Sequence, residues 1–174
     1  MSLPDERHER EQYFFDPATV DELCGILARF ERPCCLCAPS VGAEMHRRGR
    51  VVRILDTDRR FAHLPGFLEW DLYRPRRLDE TFDLILCDPP FFNVSLSQPF
   101  IAPRVLCHYD LARPVLISSL ARRSGAIMGA LAPFNLRPTG YRPRYLTVQR
   151  CERNDIEFLS SIDLPLPGTE DRAC

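Results

Sequence analysis

Apolar residues in this chain gather into short blocks broken by polar, turn-forming residues. Cys34 to Ala38, Val51 to Leu55, Phe67 to Trp70, Phe82 to Cys87 and Val115 to Ser118 are predominantly apolar runs of strand length. Runs without a polar-apolar alternation suit strands buried on both faces. Helical spacing lies between them. Val20, Leu23, Ile26 and Leu27 share one helix face behind Asp16-Pro17, where Asp16 suits the cap and Pro17 the first turn. Pro39-Ser40 turns the chain into a short helix reaching about Arg48, with Gly49 as its stop. Residues from Ser124 to Leu131 predict a further helix, and Tyr145 to Val148 with Ile156 to Ile162 predict a closing antiparallel pair.

Strands alternating with helices predict an α/β fold. Its sheet is mostly parallel and covered on both faces, with an antiparallel pair of strands at the C-terminal end. The length suits one domain, expected over residues 12–163. Residues 1–11 are polar and expected to be flexible, as is the proline-rich, acidic stretch 164–174.

In such a sheet ligands bind at the carboxyl ends of the strands. Here those ends carry Ala38-Pro39-Ser40, Asp56, Asp71 and Asp88. A carboxylate after the second strand of a Rossmann-like sheet can accept from both ribose hydroxyls of a nucleotide cofactor. Asp56 is placed for that, with Asp58 the alternative, and Asp71 could accept from an adenine amino group. The first turn, Ala38-Pro39-Ser40-Val41-Gly42, lacks the glycines that let a pyrophosphate approach the backbone. A cofactor without phosphate needs no such cradle, and S-adenosyl-L-methionine is one.

The fourth run ends in Asp88-Pro89-Pro90-Phe91. A residue before proline is driven to extended geometry, so Asp88 belongs where a strand stops. The two prolines have no N–H. What they leave is acceptor oxygen, from the Asp88 carboxylate and the Pro89 carbonyl, with the Phe91 ring beside it. This set suits an amino nitrogen, whose hydrogens need acceptors and whose ring or cationic stem packs on an aromatic face.

Charge narrows the chemistry. The net charge is −1, and all 23 basic residues are arginine. Without lysine there is no P-loop lysine, Schiff-base lysine or lysine general base. Arginine pairs at 47–48, 59–60, 76–77 and 122–123 leave room for a local basic rim, but the chain has no global pull toward nucleic acid. No apolar stretch approaches the ~20 residues of a membrane span. The first ten residues are charged and form no signal peptide, so a cytoplasmic protein is expected. The eight cysteines include Cys34-Cys35-Leu36-Cys37. No second ligand pair accompanies them, so buried strand thiols are expected and no metal.

The run to Asp88-Pro89-Pro90-Phe91 resembles the [DN]-P-P-[FYW] motif of amino-group methyltransferases. More narrowly, the chain resembles the small family of probable N-6 adenine methyltransferases. That family includes the lysine methyltransferases of translation elongation factor 1A, and a related domain occurs in a zinc-finger ribosomal-RNA adenine methyltransferase. The likeness spans about residues 11–160. Glu11-Gln12-Tyr13-Phe14-Phe15 resembles Q-[FY]-W-Y, and Cys37-Ala38-Pro39-Ser40-Val41 resembles an A-P-S turn. Residues Leu55 to Phe61 resemble E-x-D-x-R-F, with Asp56 in place of Glu. Trp70-Asp71-Leu72-Tyr73 resembles Y-D-Y, and Phe82-Asp83 with Asp88 to Phe91 resembles F-D-x-x-x-x-D-P-P-[YF].

The resemblance implies a class I methyltransferase fold using S-adenosyl-L-methionine. It implies cofactor contacts from Gln12, Tyr13, Phe14, Pro39, Ser40, Asp56, Asp71 and Leu72, with Asp88 shared between cofactor and substrate. It implies a target amine held by Asp88, Pro89, Pro90 and Phe91. The acceptor would be a protein lysine, as in a translation factor, or an adenine amine of RNA or DNA. Residues Phe92 to Arg104 depart from the family's loop after the motif, so the acceptor is the least specified part. Two other readings compete: a non-catalytic binding module on the same fold, and a zinc or redox protein built on Cys34 and Cys37.

Overall fold

The computed structural model describes residues 3–10, 12–90, 101–149 and 151–166. Among them, seven strands form one sheet: β1 (Pro33–Leu36), β2 (Arg53–Asp56), β3 (Phe67–Glu69), β4 (Leu84–Cys87), β5 (Val115–Leu120), β6 (Arg137–Pro138) and β7 (Ile156–Ser160). Their order is β3-β2-β1-β4-β5-β7-β6. The first five neighbours pair in parallel, whereas β7 runs antiparallel to both β5 and β6. This is the architecture of class I methyltransferases.

The helices are α1 (Pro17–Leu27), α2 (Pro39–Arg47), α3 (Ile101–Leu106) and α4 (Ser124–Ala130). Asp16 caps α1 by accepting from the Thr19 amide at 2.8 Å, and Pro17 takes the first helical position. Gly49 follows α2 at φ 82°, where a side chain would be strained. None of these helices is long and apolar enough to cross a membrane.

Successive strand residues point to opposite faces, so each run feeds two cores. Cys35, Ile54, Leu84, Leu86 and Phe158 pack under α1 and α2. Cys34, Leu36, Leu55, Ile85, Cys87 and Leu159 pack on the other face with Trp70 and Ile127. Both sheet faces are thus covered, which is why the runs carry so little alternation.

One expectation is corrected. The partners of β7 are β5 and the two-residue β6, not Tyr145 to Val148. Tyr145 instead forms a single bridge with Phe15, and their rings meet at a tilt of 35° with centroids 4.8 Å apart. The helix α3 has no counterpart among the elements expected from the sequence, and it contains Pro103. As the third residue of the helix it falls in the first turn, where an N–H has no partner to lose.

The described ends of the chain are packed. The Glu6 carboxylate accepts from the Phe14 amide at 2.7 Å and from the Thr147 hydroxyl. Leu166 is buried against the core under α1. Cys34 and Cys35 are buried free thiols in β1. Among the described residues no group of His, Cys, Asp and Glu could hold a metal ion.

Candidate active site

Register brings the strand ends to one level. Leu36 of β1 pairs with both Leu55 of β2 and Cys87 of β4. The residues that follow or close these strands, Cys37, Asp56 and Asp88, therefore share one edge of the sheet. Backbone bonds hold them there: the Cys37 amide donates to the Leu55 carbonyl at 2.9 Å, and the Asp88 amide to the Leu36 carbonyl at 3.0 Å. Cys37 sits at φ 54°, a sharp left-handed turn out of β1 that opens the edge before Pro39 starts α2.

A cleft lies over this edge. Its walls include Gln12, Tyr13, Phe14, Pro39, Asp56, Asp88, Pro89 and Pro90. The remaining lining residues, Arg7, Cys37, Thr57 and Asp58, were not assigned a cofactor contact from the sequence, except Asp58 as the alternative to Asp56. Ser40 faces away, toward a groove between α1 and α2. Asp71 does not line the cleft, and its carboxylate instead accepts from the Tyr73 amide at 2.8 Å in a tight turn. Leu72 is buried in the second core. Phe91 lies outside the described residues.

The two neighbouring carboxylates of the β2 end have different jobs. Asp58 is held by Arg60, whose Nε reaches both carboxylate oxygens at 2.9 Å, and by the Gln12 amide nitrogen at 2.9 Å. Burial pushes its carboxyl up, but the hydrogen bonds from Arg60 and Gln12 outweigh that and hold it at about 2. Asp58 is thus a fixed anion inside an Arg60–Gln12 clamp. Asp56 has no such cation against it. Burial raises its carboxyl to about 6, offset in part by the Asp58 amide, which donates to it at 2.8 Å.

Asp88 is deeper. It is buried, and burial raises its carboxyl to about 7 against the opposing hydrogen bonds of Ser118 and Tyr145. Both hydroxyls reach the same oxygen, Oδ1: Ser118 from β5 at 2.5 Å and Tyr145 at 2.7 Å. Neither residue was singled out from the sequence. Ser118 stands in a run whose members are all buried, and a hydroxyl there needs a partner, which is the signal that points to it. Tyr145 carries no comparable signal, since its partner lies 57 residues away.

The cleft offers little to a phosphate and much to a cation. Asp56, Asp58 and Asp88 all line it, and Pro39 stands where a phosphate loop would present amides. A buried carboxylate at the end of β2 meets the needs of a ribose, whose two hydroxyls are donors. The residues present fit a nucleoside cofactor that carries positive charge and no phosphate.

Comparison with known proteins agrees with this fold. The magnesium protoporphyrin IX methyltransferase of Synechocystis PCC 6803, crystallised with bound S-adenosylmethionine, is similar at a TM-score of 0.56 and 14% identity, over 82% of this chain and 77% of that one. A putative RNA methyltransferase of Pyrococcus horikoshii is similar at 0.56 and 13%, over 92% and 91%. The N-methyltransferase NodS of Bradyrhizobium japonicum WM9 is similar at 0.53 and 14%, over 91% and 97%. No curated protein matches the chain. The family model described as probable N6-adenine methyltransferase matches residues 6–154. The chain therefore belongs to the probable N6-adenine methyltransferase family.

Proposed function

We propose that this protein uses S-adenosyl-L-methionine to methylate an amino nitrogen. The observation that carries the reading is Asp88: a buried carboxylate beside two prolines in the cleft, with Ser118 and Tyr145 both on Oδ1. When bound, the cofactor supplies a methyl group already activated on a sulfonium. What the chain adds is acceptors. Oδ2 of Asp88 and the Pro89 carbonyl take the hydrogens of the incoming amine and direct its lone pair. Pro89 and Pro90 present no competing N–H. Asp56 takes the ribose hydroxyls, and Tyr13 and Phe14 supply apolar walls. The domain spans 12–163, with Asp71 and Leu72 close to the adenine because the Trp70 amide bonds the Asp56 carbonyl at 3.0 Å. The buried free thiols fit a reducing compartment, so a cytoplasmic location is part of the reading.

Two acceptors meet the demand of Asp88. The family description favours the exocyclic amine of adenine in RNA or DNA. The net charge of −1, with no general attraction to a polyphosphate, favours the lysine of a protein such as a translation factor. Transfer of tritiated methyl groups to a cell lysate separates them by digestion: label lost with nuclease marks adenine, and label lost with protease marks lysine. Label in neither fraction would overturn the amino-nitrogen reading.

A further inference from the structure

We infer that Arg7 binds the carboxylate of the cofactor's amino-acid tail. This inference rests on the S-adenosyl-L-methionine reading above. That cofactor ends in a zwitterion, and its carboxylate needs a cation or a cluster of N–H donors. The described lining of the cleft holds three carboxylates, Asp56, Asp58 and Asp88, and Arg7 is the one cation among those residues. Arg60 is committed to Asp58 and to the Gln12 side chain. No side-chain bond from Arg7 to another described residue satisfies its guanidinium, which is half-buried over the cleft. A guanidinium meets a carboxylate through two parallel N–H bonds, which makes this pairing stronger than a neutral contact.

The backbone around Arg7 is held from three sides, so the side chain is delivered rather than left to wander. Arg60 Nη1 donates to the Asp5 carbonyl at 2.8 Å. Glu6 takes the Phe14 amide, the Thr147 hydroxyl and the His8 ring, the last at 2.9 Å. The Gln12 amide donates to the Arg7 carbonyl at 3.1 Å, closing a small antiparallel bridge. The described residues 5–10 and Gln12 thus form a strap whose Gln12 end is tied to Asp58 inside the cleft.

Calorimetry with two probes tests this without any methyl acceptor. S-adenosylhomocysteine keeps the amino-acid tail, whereas 5′-methylthioadenosine has the same nucleoside thioether and no tail. Arg7→Met is expected to weaken S-adenosylhomocysteine on the order of 10- to 100-fold and Arg7→Lys less, as for loss of a charge-assisted pair. Binding of 5′-methylthioadenosine should stay within about twofold in both variants, as expected when the lost contact is confined to the tail. Equal losses for the two probes would make Arg7 a support of the strap and overturn the assignment. Unchanged S-adenosylhomocysteine binding in Arg7→Met would also overturn it. A wild-type protein that binds neither probe would sink the cofactor reading itself, an outcome distinct from both.

Discussion

Tyr145 donates its phenolic hydrogen to Asp88 Oδ1 at 2.7 Å, the same oxygen that Ser118 occupies from β5. A hydrogen bond to an ionised carboxylate favours the ionised form. Removing it in Tyr145→Phe therefore raises the Asp88 carboxyl above its present value of about 7. Asp88 offers both oxygens as acceptors, with no competing O–H donor, only when ionised, so methyl transfer should increase with pH through that value. In Tyr145→Phe this rise should move to higher pH by about 0.5–1 unit, the equivalent of one hydrogen bond. A pH–rate profile at saturating cofactor measures it. An unmoved profile would leave Tyr145 as packing against Phe15 and nothing more.

Fold stability should also depend on pH, with opposite signs on two sides. Asp88 and Asp56 have folded-state values raised from 3.8 to about 7 and about 6, so the folded state binds extra protons between those limits. Stability therefore falls as pH rises from about 4 to about 7. Asp58 is lowered to about 2, so its stabilisation is present above 3.8 and lost as pH falls from there toward 2. Thermal melts should show a higher Tm at pH 5.5 than at pH 8. Asp88→Asn keeps an oxygen for Ser118 and Tyr145 but cannot ionise, so it should reduce this decline, most of all above about pH 6, and remove the rise of methyl transfer with pH. A wild-type Tm that does not change between pH 5.5 and pH 8 would contradict the buried-carboxylate picture.

Asp56→Ala should weaken cofactor binding by about 2 kcal/mol, the scale of charge-assisted hydrogen bonds to a diol. Asp58→Ala should act differently. It removes the carboxylate that both Arg60 and Gln12 bond, leaving only their direct contact, and so should lower Tm as well as affinity. Titration calorimetry beside melting curves separates the two. Wild-type affinity in Asp56→Ala would remove that residue from the cofactor site.

Gly66 has little room for any other residue. A Cβ there would lie 1.8 Å from the Val52 carbonyl oxygen, a backbone atom that cannot swing aside. Gly66→Ala should push β3 away from β2, break the bond from the Ile54 amide to the Gly66 carbonyl, and cost roughly 3 kcal/mol or more. Urea unfolding of the variant gives the number, and a loss below about 1 kcal/mol would mean the loop relaxes freely.

The parallel half of the sheet was legible in the sequence because each of its strands is an apolar run, and β1 to β4 are closed by an acid or a proline. Asp56 and Asp88 close β2 and follow β4, so their place at one edge followed once the strands were read. The antiparallel end was harder. The strand β6 is two exposed residues, Arg137 and Pro138, with no apolar pattern to mark them. The segment at Tyr145 has such a pattern, yet its residues serve as anchors to Phe15 and Asp88 and not as a strand. Asp71 also holds a turn by accepting from the Tyr73 amide through Oδ1, a use that its place at a strand end does not reveal. Side-chain pairs across long separations, Tyr145 with Asp88 or Arg60 with Gln12, have no local signature at all.

The position of β7 has a consequence for how the chain is made. This strand enters the sheet between β5 and β6, so an interior place is held open for the strand that comes last in chain order. Until Ile156–Ser160 has left the ribosome, β5 has an unpaired edge and β6 has no partner. The cleft at the ends of β1, β2 and β4 can form earlier, but Glu157 and Phe158, which fasten the Tyr141–Tyr145 stretch through Arg142 and the stacked ring of Tyr141, cannot. Tyr145 therefore reaches Asp88 late, and a nascent chain stalled before β7 would carry an acceptor carboxylate with only Ser118 to orient it.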